Sequence, residues 1–403
     1  MIAFYFFAAV VVWLGVLSLR SGFRFARYVE KELARPLSDF TPFVSVIAPC
    51  RGLEDGLRSN ISALFEQDYP AYEIIFVSDR ADDPAFELIQ DVRSSQQDAA
   101  NPLTQTVVAG AADDSGQKVH NLRVAVATVA GQSEVLVFVD TDARPHADWL
   151  RTLVAPLANE SVGASTGYRW FIPEHGGMAS QLRSVWNASI ASALGDLKDK
   201  NFCWGGSTAI RRLTFETLQV NERWRGTVSD DFTLTRVLQE AKLPIHFVPA
   251  CLVASIGDCT FAELLEFTNR QLKITRNYAA HLWKPLLIGS LLFCAIFFGG
   301  IILIVERAIR GLDWIVPLAL VVVIYALGAA KAYVRFEAVS LPLAKYQRRG
   351  PGSLAAHLVL WPFASALYLS NAITAGFSRR IKWRGITYEL KSPGEAVIIA
   401  RDR

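Results

Sequence analysis

Apolar residues fall along this chain in runs of three kinds, and the runs alone divide it into segments. Residues 2–19 form an uninterrupted apolar stretch, followed by Arg20, Arg24, Arg27 and Lys31. That stretch is about long enough to cross a bilayer as a helix. A cleaved leader carries its charge ahead of the apolar part. Here the charge follows, which predicts an anchor helix over residues 1–20 with the next domain in the cytoplasm. Runs of the second kind are short: residues 43–49, Tyr72–Ser78, and residues 104–108, 135–139, 162–168 and 245–248. They read as strands of a sheet, several of them buried on both faces. Between them Leu57, Ile61, Leu64 and Phe65 recur at helical spacing, as do Val119, Leu122, Val126 and Val129. Phe86, Leu88 and Ile89, and then residues 149–157, suggest two further helices. Strands alternating with helices predict an α/β domain with a mostly parallel sheet over residues 40–260.

Residues 178–194 mix apolar positions with Gln181, Arg183 and Asn187, and residues 261–284 with Arg270, Gln271, Lys273 and Arg276. Both read as amphipathic helices that can lie on a membrane. Runs of the third kind are long: residues 286–305, 314–330 and Leu354–Phe377, in a membrane region over residues 285–378. The last contains Pro362, which spanning helices tolerate. The basic tail, residues 379–403, opens with Arg379, Arg380, Lys382 and Arg384. The 335–349 loop is basic as well, yet a single span between the two would put them on opposite faces. The conflict disappears if one of the last three runs lies in the interface, and the number of spans stays open.

Composition supports the membrane reading: 52% of the residues are hydrophobic, and the mean hydropathy is +0.26. A net charge of only +3 gives no case for a nucleic-acid partner. Cys50, Cys203, Cys251, Cys259 and Cys294 form no C-x-x-C pair and no Cys/His cluster, so they read as reduced thiols compatible with the cytoplasm.

Candidate chemistry centres on residues 134–142, E-V-L-V-F-V-D-T-D. Asp140 and Asp142 follow a buried strand at its carboxyl end, where open α/β sheets bind ligands. Hard oxygen ligands suit Mg²⁺ or Mn²⁺, ions that usually arrive with substrate phosphates. D-x-D alone is common by chance, and both Asp and Thr favour turns. The weight falls on the order of acidic elements: Asp79 after the second strand, Asp140 and Asp142 later, Asp230-Asp231 at the start of a helix, then a basic amphipathic helix.

That series, with an anchor before it and apolar runs after it, resembles a family 2 or family 21 glycosyltransferase of the GT-A fold. The ceramide glucosyltransferase branch, with its bacterial hopanoid-glycosyltransferase relatives, is the nearest likeness. The resemblance covers about residues 43–283 and extends to Trp383-Arg384-Gly385 in the tail. It implies that Asp79 sits at the uracil or ribose and that Glu54 helps bind the nucleoside. It places Lys118 and Asn121, in G-Q-K-V-H-N-L, near the nucleotide, makes Asp140 and Asp142 the metal pair, and makes Asp231 the catalytic base. The branch's Q/R-x-x-R-W motif stands here as Arg270-Gln271-Leu272-Lys273-Ile274, with lysine for arginine and isoleucine for tryptophan. Lys273 offers a point charge to a diphosphate without the bidentate fork, and Arg276 is the candidate to compensate. The resemblance further implies a UDP-sugar donor (glucose first), a membrane lipid acceptor of ceramide type, and residence in a bacterial inner membrane. A polysaccharide synthase and an inactive sugar-nucleotide-binding subunit are the competing readings.

Overall fold

The computed structural model describes residues 1–36, 38–96, 102–346 and 353–402. The basic loop's Arg348 and Arg349 therefore lie outside the described residues. A first helix, α1 (Ile2–Leu33), leads into alternating elements: β1 (Val44–Pro49), α2 (Leu57–Phe65), β2 (Tyr72–Ser78), α3 (Pro84–Ser95), β3 (Leu103–Val108), α4 (Gln117–Val126) and β4 (Val135–Phe138). Next come α5 (Trp149–Val154), β5 (Ala164–Ile172), α6 (Met178–Ala191), β6 (Thr208–Arg211), α7 (Arg212–Thr217), α8 (Val220–Arg223), α9 (Asp230–Glu240) and β7 (Ile245–Ile256). Seven strands form one sheet in the order β3-β2-β1-β4-β6-β5-β7. All its pairings are parallel except those of β6, which runs antiparallel to β4 and β5. The expected mostly parallel α/β sheet is present, and two apolar cores cover it, one on Val46, Ile74 and Phe76, the other on Ile47, Ile75 and Phe138.

Three elements depart from expectation. α1 does not stop near residue 20 but continues to Leu33. Its second half carries an apolar stripe, Phe25, Tyr28 and Val29, buried against the α/β domain. There the Tyr28 hydroxyl donates to the Phe247 carbonyl at 2.6 Å, and Glu32 lies 2.9 Å from His246. β7 extends eight residues past the expected Val248, to Ile256, through Pro249. Proline is tolerated because β7 is an edge strand, where a missing N–H costs no ladder bond. Finally, the basic tail is not irregular. It forms β8 (Arg380–Trp383), β9 (Ile386–Ser392) and β10 (Glu395–Arg401), a three-stranded antiparallel sheet. Ile381, Ile386, Tyr388 and Leu390 point inward with a period of two and form a core with Ile274 of the preceding helical region.

Among the described residues four helices are long and apolar enough to cross a membrane: α1, α11 (Ala280–Ile309), α12 (Ile315–Leu343) and α13 (Leu354–Phe377). The last three follow the α/β domain through α10 (Phe261–Tyr278), which opens with a capping box in which Thr260 and Glu263 bond each other's backbone N–H. α13 differs from the other three. Near its start His357 stacks on Trp170, in its middle the Tyr368 hydroxyl reaches the Trp186 carbonyl at 2.9 Å, and towards its end Asn371 bonds Thr268 at 3.1 Å. α13 thus rests on α6, α10 and the sheet along one side, while on the other its Trp361 packs against Phe293 and Phe297 of α11 and Tyr325 of α12.

Candidate active site

The sheet's carboxyl ends, the α9 amino end, α10 and the tail sheet enclose one cavity of about 1690 Å³. Asp140 and Asp142 enter it just beyond β4. Asp140 is held on one side by Lys118 at 2.7 Å and on the other by Arg169 at 3.1 Å. Arg169 also reaches Asp142 at 3.2 Å, with its guanidinium 4.8 Å from the Trp204 ring centroid. Burial alone would raise the Asp140 pKa. Lys118 and Arg169 more than offset it and hold the carboxyl below its usual value. The Lys118 ammonium is likewise disfavoured by burial, yet Asp140 and Asp230 push its pKa upward.

Asp230 and Asp231 open α9. Ser229 caps the helix, its hydroxyl accepting from Phe232 N–H at 3.2 Å. Asp230 turns inward, buried, 3.4 Å from Lys118. Gly205 makes room for it: a Cβ there would fall 2.0 Å from the Asp230 carboxylate and 2.9 Å from the Lys118 ammonium. The second of the paired glycines, Gly206, makes room instead for the Trp204 ring, 2.2 Å from a Cβ there. Asp231 turns outward. One of its oxygens accepts from Phe232 N–H at 2.7 Å and from the Ser229 hydroxyl. The other makes no hydrogen bond or ion pair among the described residues, and the side chain lines the cavity.

Burial, with Asp231 and Asp140 nearby, pushes Asp230 up to about 6 against the pull of Lys118. A carboxyl that holds its proton more tightly folded than unfolded stabilises the folded state at low pH, and that contribution is lost as the pH rises from about 3.8 through about 6. Asp230→Asn is expected to flatten this part of the stability profile. Thermal melts of both proteins across that range measure it, and identical slopes would contradict the assignment.

The remaining expected site residues fall into two groups. Glu54, Lys118, Asn121, Asp140, Asp142, Asp231, Arg270 and Gln271 all line the cavity. Asn121 is fixed by Gln117, whose amide donates to it at 2.8 Å. Asp79 and Lys273 are not in the cavity wall. Asp79 stands behind it, near enough for its charge to act on Cys50 and Tyr388, which are in the wall. Lys273 turns away and donates to the Arg380 carbonyl at 2.8 Å. Arg276 also turns away, to the Ala375 carbonyl. One functional candidate escaped sequence reasoning: Arg169 sits within a strand and belongs to no motif. Trp383 and Arg384, to which the family resemblance extends, line the cavity from the tail sheet, whose inward alternation is a strand signal that its positive charge obscures.

The donor set suits a divalent cation in part. Asp142 keeps one buried oxygen with no hydrogen-bond partner among the described residues. No group of three or more His, Cys, Asp or Glu side chains there could hold an ion alone. Two carboxylates with one free oxygen fit an ion that takes its other ligands from substrate phosphates.

From this chemistry the cavity continues without interruption into the apolar helices. Its far wall is made by Leu286, Gly289, Ser290 and Phe293 of α11 and by Ser365 and Tyr368 of α13.

The model of glycosyl transferase family 21 matches residues 4–396. Among solved structures, a mannosyltransferase from Pyrobaculum calidifontis in complex with GDP-Man and Mn²⁺ is 17% identical, with 92% of this chain and 99% of that chain covered and a TM-score of 0.47. Glucosyl-3-phosphoglycerate synthase from Mycobacterium tuberculosis with Mn²⁺ and UDP-glucose is 15% identical over 62% of this chain and 80% of that one, with a TM-score of 0.35.

Proposed function

The chain belongs to glycosyl transferase family 21, and from that premise we propose that it is a membrane-bound inverting glycosyltransferase moving a single sugar, glucose first among candidates, from a UDP-sugar to the hydroxyl of a ceramide-like lipid. One observation carries the lipid acceptor: the cavity that holds Asp231 also reaches Leu286, Gly289 and Phe293 of an apolar, membrane-length helix. A lipid whose tails lie along α11 can present its headgroup hydroxyl inside that cavity without leaving the membrane.

In the transfer, the lipid hydroxyl oxygen attacks the anomeric carbon and the bond from that carbon to the diphosphate breaks, its electron pair leaving with the phosphate. Asp231 takes the hydroxyl proton on its free oxygen, a role that typically contributes about 10²–10⁴-fold. A single displacement inverts the anomeric centre. Asp140 and Asp142 would hold Mg²⁺ or Mn²⁺, which when bound supplies Lewis-acid neutralisation of the departing diphosphate. Lys118 and Arg169 hold the Asp140 carboxylate between them, and Arg169 also orients Asp142. Asn121, fixed by Gln117, and Gln271 offer hydrogen bonds to the nucleotide, and Asp79 stands behind the nucleoside end. Trp383, 5.4 Å from the Arg270 guanidinium, supplies the aromatic face that Ile274 does not.

Orientation follows from α13. With that helix in the interface, α1, α11 and α12 cross, and the basic loop, the tail and the α/β domain share the cytoplasmic face that Arg20, Arg24, Arg27 and Lys31 favour. Such a chain offers no bundle of polar-faced spans through which a growing polymer could pass, and this argues against the synthase reading.

Gly289→Trp tests the proposal. A Cβ at Gly289 meets nothing within 4 Å, so the ring can project into the membrane end of the cavity without disturbing the fold. Misplacing an acceptor by about 1 Å can cost about 100-fold. Transfer to lipid should fall by that order, while slow hydrolysis of the donor to free sugar continues. Loss of both in equal measure, or of neither, would contradict the acceptor route.

A further inference from the structure

The roles above leave Arg384, a cation in the cavity wall, unassigned. Arg384 stands at the two-residue turn between β8 and β9, and its guanidinium lies 2.6 Å from Glu54 and 3.3 Å from the Arg51 carbonyl. Those two contacts span the gap between the tail sheet and the loop after β1. Arg384 has φ +48° and Gly385 φ +74°, the paired left-handed turn that tight hairpins use. For a non-glycine residue that backbone is costly, and it persists where the surroundings over-determine it.

The surroundings do so here. The Tyr388 hydroxyl accepts from Gln117 N–H at 3.1 Å, Arg401 donates to the Ala112 carbonyl, and Asp402 N–H reaches the Gly385 carbonyl at 2.7 Å. The tail sheet is therefore seated on the first turn of α4, which carries Lys118, and on the loop before it, with Arg384 and Trp383 facing into the cavity. The Arg384 side chain keeps 38% of its surface open, and its charge acts on both Asp140 and Asp142.

A guanidinium carries five N–H donors in a planar fork, and Glu54 and the Arg51 carbonyl engage only part of it. Such a fork matches two phosphate oxygens at once. α10, by contrast, turns Lys273 away from the cavity. We propose that Arg384 binds the diphosphate of the sugar nucleotide, with Glu54 and the Arg51 carbonyl holding its guanidinium in place. This rests on the sugar-nucleotide reading above. The tail sheet thereby becomes a wall of the donor site, and Arg384 a forked cation in it beside Arg270 of α10, which stacks on Trp383.

The test titrates the full-length protein in detergent with UDP, GDP, ADP and TDP in the presence of Mg²⁺. The tightest of these, and its nucleoside alone, are then titrated into Arg384→Gln and Arg384→Lys. A lost charge-assisted contact should weaken the diphosphate by about tenfold or more, while the nucleoside changes by less than about twofold because nothing of the base or ribose site is lost. Arg384→Lys should recover part of the loss, having the charge without the fork. Nucleoside binding by each variant reports that the site is still folded. Unchanged diphosphate affinity in both variants would overturn the proposal, as would an equal loss for nucleoside and diphosphate, which would mean that Arg384 only seats the hairpin. If the unaltered protein binds none of the four diphosphates, the sugar-nucleotide reading itself fails and takes this inference with it.

Discussion

Asp231→Asn should remove sugar transfer while leaving the protein folded and able to bind its nucleotide. The substitution keeps the shape of the side chain and its bond from Phe232 N–H, because the amide oxygen can still accept there. What it removes is basicity at the one α9 carboxylate oxygen that faces the cavity without a partner among the described residues. Loss of a positioned general base typically costs about 10²–10⁴-fold in rate. Asp230 cannot take over, since it is buried against Lys118 on the inner side of the same turn. Turnover and nucleotide affinity measured on the same preparation separate the outcomes. Near-normal turnover would dismiss Asp231 as the base, and loss of nucleotide binding would make it a structural residue.

Chelation should be as damaging, and Asp142→Ala should mimic it. Asp142 has the free buried oxygen, so its removal takes away the metal ligand that Arg169 does not already occupy. A Lewis acid at a departing diphosphate is worth several kcal/mol, about 100-fold or more in rate at about 1.36 kcal/mol per tenfold. Added Mg²⁺ or Mn²⁺ should restore the chelated protein and fail to restore the variant. Full activity in chelator would mean that Lys118, Arg169 and Arg384 neutralise the diphosphate unaided.

Much of this was readable from residue order. The mostly parallel sheet follows from continuous apolar runs alternating with helical stripes, because a strand buried on both faces has no other composition open to it. Asp140, Asp142 and Asp231 were legible because each ends a strand or starts a helix at the sheet's ligand-binding edge. What escaped depends on long-range packing. The Arg169 role exists only because β5 lies beside β6 and brings its side chain across to the Asp140 turn. Pro249 reads as a strand breaker until β7 is known to be an edge. Positive charge hides the tail's alternation, and the turning of Lys273 away from the cavity follows from its bond to the Arg380 carbonyl. For α13, hydropathy alone predicts a span; its contacts from His357 to Asn371 join it to the α/β domain as well.

The central claim is that a single sugar passes to a lipid held at the membrane end of the cavity. The most direct measurement supplies the purified protein with radioactive sugar nucleotides and a panel of membrane lipids (ceramide, diacylglycerol and hopanoid among them), then partitions the products between organic and aqueous phases. Label is expected in the organic phase as one discrete glycolipid, heavier than its acceptor by one sugar in the mass spectrum. Label accumulating as water-soluble or insoluble polymer would contradict it.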